Sequence, residues 1–179
     1  MLKKPWFARF LSQTPASQQE LQSRADEGGA EAQNNLGALF SNSDLPIAGA
    51  VSYLKAANDG NAMAQHNLAM MYATGEGVNR DDVQAGVWFE RSAAQGDPAA
   101  QFHLGDRCFR ASLSMGQTEA DEALIESFKW LQLSSAQGYP NADACRERVN
   151  LRMSREHVVE GNRRVAAFAA RRETPAGEA

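Results

Sequence analysis

The sequence predicts an all-α fold: an α/α solenoid of helix-turn-helix repeats wound as a right-handed superhelix. Three observations carry that reading. A short pattern, Gly-x-(Ala/Pro)-x-Ala-(Gln/Asp), recurs four times along 179 residues. Apolar and small residues at helical spacing follow each of the first three copies. A stripe of an aromatic or leucine with small residues three and four positions later precedes each of the last three glycines.

The copies begin at Gly28, Gly60, Gly96 and Gly138, so the units are 32, 36 and 42 residues long. Leu36, Leu68 and Leu104 stand eight residues after the first three glycines, each beside a small residue, Gly37, Ala69 or Gly105. Phe40, Tyr72 and Cys108 follow one turn later. These positions share one face of a first helix, and the small residue lets a neighbouring helix approach. The second half of each unit runs Tyr53–Ala57, Trp88–Ala93 and Trp130–Ser135. The glycine that closes it sits where a helix end needs a left-handed residue. One such hairpin cannot bury its apolar face, so neighbours must stack, leaving a concave side. The predicted organisation is a segment 1–16, a solenoid over 17–172 and a disordered tail 173–179. Repeats fall at about 28–59, 60–95 and 96–137, with a capping unit at 138–172.

The second unit, Ala64-Gln65-His66-Asn67-Leu68 through Tyr72-Ala73-Thr74-Gly75-Glu76-Gly77-Val78 and Ala85-Gly86-Val87-Trp88-Phe89, resembles the Sel1-like repeats, cousins of tetratricopeptide repeats. The resemblance covers roughly residues 25–172 and implies a bacterial protein that works by binding another protein. The first unit departs from it with a shorter turn, Ser41–Pro46. The third carries a longer loop, about Ala111–Ala120, and Cys108 in an aromatic slot. The fourth has Arg146 where a leucine belongs, which makes it a cap. Ser154 is the expected N-cap of a last helix packed through Val158, Val165 and Phe168. Residues 17–27 are expected to form a lone second helix at the other end.

Composition agrees with a single globular class: 43% hydrophobic and 22% charged residues exclude a disulfide scaffold and wholesale disorder. The net charge of −4 is unevenly laid out. Residues 1–10 carry +3, residues 11–145 carry −10 and residues 146–179 carry +3. An acidic body disfavours nucleic acid as a partner. Trp6, Phe7, Phe10 and Leu11 form an apolar patch interrupted by Arg9, too short for a secretory core. No stretch reaches the roughly 20 apolar residues of a membrane span. The expected compartment is cytoplasmic, with periplasmic or membrane-peripheral placement as the alternative through weak surface contact of the N-terminus.

Little in the chain points to chemistry. His66, His103 and His157 have no partner residues at metal-ligand spacing, so neither metal nor cofactor is expected. Gly75-Glu76-Gly77 lacks the lysine and preceding strand of a phosphate loop. Cys108 and Cys145 read as two buried thiols, with a disulfide as the alternative. Some cysteine-rich relatives are linked to hydrolytic activity, but their paired cysteines are missing here. No catalytic residue is assigned.

In related repeats the first helices line the concave side, at positions 3, 6, 10 and 13 after the leading glycine. Carried over, that spacing selects Glu31 and Asn34, then Met63, His66 and Met70, then Phe102, Asp106 and Phe109. Met63, Met70, Phe102 and Phe109 would stand exposed without a partner, unless curvature buries them against the next unit. The expected function is a noncatalytic adaptor or scaffold binding a partner segment in this groove. The alternative is an immunity-type protein that neutralises a partner enzyme.

Overall fold

The computed structural model describes residues 23, 25–43 and 45–173. Among the described residues every regular element is a helix and no strand occurs. The expected flexible segment 1–16, most of the expected N-terminal helix and the tail from 174 lie outside them. Contacts divide the chain into two compact units, Met1–Ser92 and Ala93–Ala179.

The first unit holds α1 (Gly29–Ser41), α2 (Pro46–Asn58), α3 (Ala62–Thr74) and nearly all of α4 (Asp82–Ala94). α2 packs against both α1 and α3. Its core is Leu36, Tyr53, Leu68, Met71, Trp88 and Phe89, with alanines between them. A Cβ on Gly37 would lie 2.7 Å from the Tyr53 ring, so the small residue beside Leu36 is what admits α2. Pro46 opens α2 at a position where its missing N–H costs nothing.

The second unit holds α5 (Pro98–Ser112), α6 (Gln117–Ala136), α7 (Ala142–Asn150) and α8 (Arg155–Glu173). Its core clusters Leu124, Phe128, Leu131 and Val149. Gly105 repeats the role of Gly37, its absent Cβ leaving room for Leu131. The expected long loop is shorter than the sequence suggests. α5 runs on to Ser112 and α6 starts at Gln117, so most of the extra residues extend α6 to 20 residues. The acidic, alanine-rich run after Gln117 favours helix over loop. Ser154 caps α8 by accepting from the His157 N–H at 3.2 Å. Val158 packs on the core cluster, and the Phe168 ring meets Trp130 at 5.4 Å. Arg146, in the leucine slot of the cap, donates to Gln132 Oε1 at 2.8 Å.

The repeat motif earns its recurrence through hydrogen bonds. Asn61 and Asp97 cap α3 and α5, accepting from Ala64 N at 2.9 Å and Ala100 N at 2.7 Å. Gly60, Gly96 and Gly138 take the left-handed backbone expected after each second helix, with φ of 89°, 94° and 73°. At the first copy the left-handed residue is Gly29 rather than Gly28. The motif's glutamine is buried at every copy that has it, as Gln33, Gln65 and Gln101. Gln65 Nε2 donates to Ala57 O at 3.0 Å, and Gln101 Nε2 to Ala93 O at 3.3 Å. Both carbonyls belong to the last turn of a helix and have no partner within it.

α8 is held to α6 by charge as well as by apolar contact. Arg164 bonds Glu122, Glu126 and Glu160, and Lys129 bonds Glu126 at 2.6 Å. Hydrogen bonds from Arg163 and Arg164 hold the Glu160 carboxyl down at about 2. Burial would raise Glu126, but Lys129 and Arg164 outweigh it and leave its carboxyl below the ordinary value.

Two outcomes follow from this packing. Gln65→Ala or Gln101→Ala removes one of two donors from a buried helix-end carbonyl, which keeps the N–H of Gly60 or Gly96, and should cost about 0.5–1.5 kcal/mol in urea denaturation. Both carboxylates have folded pKa values below their unfolded ones, so their stabilisation is complete above the ordinary 4.5 and fades as pH falls toward about 2. The melting-temperature advantage of the wild type over Arg164→Leu should therefore be largest near neutral pH and shrink on acidification through that window.

Candidate partner-binding surface

The eight residues selected by spacing fall into two groups, one in each unit. In the first unit Glu31 is exposed on α1, while Asn34 is buried. Asn67 Nδ2 donates to Asn34 Oδ1 at 3.3 Å, so Asn34 ties α1 to α3 rather than standing open. Met63 is 61% exposed on α3. Met70, two turns further along the same face, is half-buried. His66 between them is also half-buried, its ring 5.8 Å from that of Phe89 on α4. This face offers a flexible apolar side chain to solvent, with polar groups on α1 beside it.

In the second unit the aromatics follow the alternative of burial by neighbouring elements. Phe102 and Phe109 are half-buried and pack against the cluster of Leu124, Phe128, Leu131 and Val149. The Phe102 ring lies 5.2 Å from Tyr139. The guanidinium groups of Arg148 and Arg152 sit 5.5 and 6.0 Å from the Phe109 ring centre. The long α6 and the short α7 bring Leu124, Phe128, Leu131 and Val149 against these rings. Asp106 is largely covered and bonds Arg110 one turn on, at 2.8 Å from Nε. That carboxylate holds the Arg110 guanidinium above its ordinary pKa.

Cys108 and Cys145 are half-buried thiols, and Cys145 packs against the second-unit core. Among the described residues no group of three or more His, Cys, Asp or Glu side chains could hold a metal ion. No described helix is long and apolar enough to cross a membrane.

A second exposed apolar surface escaped the spacing argument. On α2, Ile47, Val51 and Leu54 lie at i, i+4 and i+7 and are 71%, 64% and 39% exposed. On α4, Val83 and Val87 repeat the first two, each pair standing 13 and 9 residues before the closing glycine. That recurrence was present in the sequence, on the second helices rather than the first. Beside Ile47 opens a shallow cavity of about 540 Å³, lined also by Pro46, Gly75, Gly77, Val78 and Asn79. The Gly75–Val78 loop rests on the start of α2, and a Cβ on Gly77 would sit 2.3 Å from Pro46 O.

Comparison with known proteins agrees with this architecture. The Sel1 repeat family model matches residues 30–61, 62–97 and 98–139. The chain belongs to the Sel1 repeat family, whose repeats are protein-interaction elements. A Sel1 repeat protein from Oxalobacter formigenes superposes with a TM-score of 0.57 at 31% identity, over 72% of this chain and 96% of that one. The protective antigen c5321 of uropathogenic Escherichia coli, which displays an SLR fold, superposes with a TM-score of 0.70 at 23% identity. That match covers 89% of this chain and 36% of the antigen, so the chain spans about a third of its length. No curated protein matches the chain.

Gly77 combines a φ of 72° with a backbone oxygen where a side chain would go. Gly77→Ala should therefore destabilise the first unit by more than the roughly 1–2 kcal/mol of the left-handed conformation alone, measured as a shift in denaturation midpoint.

Proposed function

We propose that the chain is a noncatalytic interaction module, an adaptor or scaffold that holds a short segment of another protein against its first helices. Met63 carries the reading: a long, unbranched apolar side chain kept mostly in solvent on α3, in line with Met70. Methionines of this kind adapt to varied apolar surfaces. His66 and Glu31 would supply polar contacts at the edge, and Asn34 would act indirectly by holding α1 and α3 in register. In the second unit, the remaining open edges of Phe102, Asp106 and Phe109 would extend the contact. Affinity in such a surface comes from a few anchors rather than from area.

The exposure pattern decides which substitution tests the reading. Phe102 supports its own core, so replacing it confounds binding with folding. Met63→Glu changes a side chain that holds nothing in place. Affinity capture from the native cell should recover a protein partner with the wild type and at least about tenfold less with Met63→Glu, at equal helicity by circular dichroism. Equal recovery would count against the first-helix face. Turnover of a substrate panel by the purified chain would count against a noncatalytic role.

A further inference from the structure

The outer stripe of α2 has an occupant of matching chemistry within the same chain. We propose that the segment Trp6–Leu11 docks onto Ile47, Val51 and Leu54. This surface is separate from the first-helix face assigned to the partner.

The repeats themselves supply the first argument. In the third repeat the residues 13 and 9 positions before the closing glycine are Ile125 and Lys129. Ile125 is only 6% exposed, against 71% for Ile47 at the same register in the first repeat. α8 accounts for the difference. His157 lies 3.9 Å from Asp121, and a Cβ on Gly161 would meet Phe128 at 2.6 Å, bracketing Ile125 on one face of α6. A later helix of the chain thus covers in the second unit the face that lies open on α2.

The second argument is where the chain enters. Ala25 is buried, and the Asp26 carboxylate bonds Lys55, the residue after Leu54. The described chain therefore begins beside one end of the stripe. Thirteen residue steps lead from Phe10 to Ser23 and can span up to about 43 Å. α2, also 13 residues, is only about 20 Å long, so the segment reaches any point on it.

Chemistry is the third. Trp6, Phe7, Phe10 and Leu11 are spaced i, i+1, i+4 and i+5, the pattern of one apolar helical face. Lys3, Lys4 and Arg9 flank them with no acid before Glu20. The receiving stretch, residues 23–92, has nine acidic against four basic side chains, a net charge of −5. An apolar, basic segment meets an apolar stripe on an acidic unit.

Disulfide trapping in the full-length chain tests the proposal. With Cys108→Ser and Cys145→Ser in place, Phe10→Cys paired with Val51→Cys should oxidise within one chain at least about tenfold faster than Phe10→Cys paired with Asn35→Cys on exposed α1. The same 10–51 linkage should be found by peptide mass spectrometry in the background that keeps both native cysteines, which guards against misfolding of the serine variants. Equal rates for the two pairs would overturn the proposal, because a mere tether does not distinguish them. Linkage only between two chains would overturn it in favour of a second copy. Co-sedimentation with phosphatidylserine vesicles that Trp6→Ser abolishes, without a 10–51 linkage, would overturn it in favour of a lipid surface.

Discussion

The buried glutamine that opens each repeat ties one helix pair to the next, and the rest of the packing depends on that junction. A helix leaves its last carbonyls without donors, and here those carbonyls are turned inward, away from water. Gln65 answers Ala57 and Gln101 answers Ala93, each across a left-handed glycine. Within a repeat a second bond closes the hairpin: Ser92 Oγ of α4 donates to Ala62 O of α3 at 2.8 Å, and Ser134 Oγ of α6 to Pro98 O of α5 at 2.7 Å. Each such bond adds only about 1 kcal/mol net, and the Ala57 and Ala93 carbonyls also accept from the Gly60 and Gly96 backbone N–H groups at 3.2 and 2.9 Å. The turn is therefore specified twice, by glycine geometry and by side-chain donors.

With the turns fixed, helix separation is set by the smallest residues. Gly37 and Gly105 let Tyr53 and Leu131 come within van der Waals contact of a backbone. Alanines at Ala56, Ala57, Ala64, Ala69, Ala93 and Ala100 do the same work at the other crossings. Buried alanines are nearly as many as the larger apolar side chains, so close approach fills the interior together with bulk. This also explains why apolar residues are left over for the surface. Helices packed through alanine and glycine stripes do not need Ile47, Val51 or Val83, and no described residue buries them.

The two units use similar repeats differently. In the first, the exposed apolar residues are spread over α2, α3 and α4, and nothing among the described residues covers them. In the second, the aromatic residues of α5 are drawn into the core, and α8 closes the outer side of α6 with an ion network centred on Arg164. The second unit reads as an end piece that stabilises itself. The first leaves Met63 exposed on α3 and Ile47 and Val51 exposed on α2.

The sequence by itself determined the helices, their pairing, the left-handed turns at Gly60, Gly96 and Gly138 and the Ser154 cap of α8, but not the length of the third repeat's loop. Glycine spacing, capping residues and the 3.6-residue period are local properties, and Leu36, Leu68, Leu104, Ser154, Val158 and Phe168 were placed from them alone. The helix face carrying Met63 was legible for the same reason. What covers a face is not local, and there the tertiary structure decided. Phe102 and Phe109 shared the register of Met63 and Met70, yet α6 and α7 supply the side chains that enclose them. Asn34 looked like a surface residue until Asn67, 33 positions away, proved to be its partner. Spacing assigns a residue to a side of its own helix, and only the neighbouring elements determine whether that side meets water.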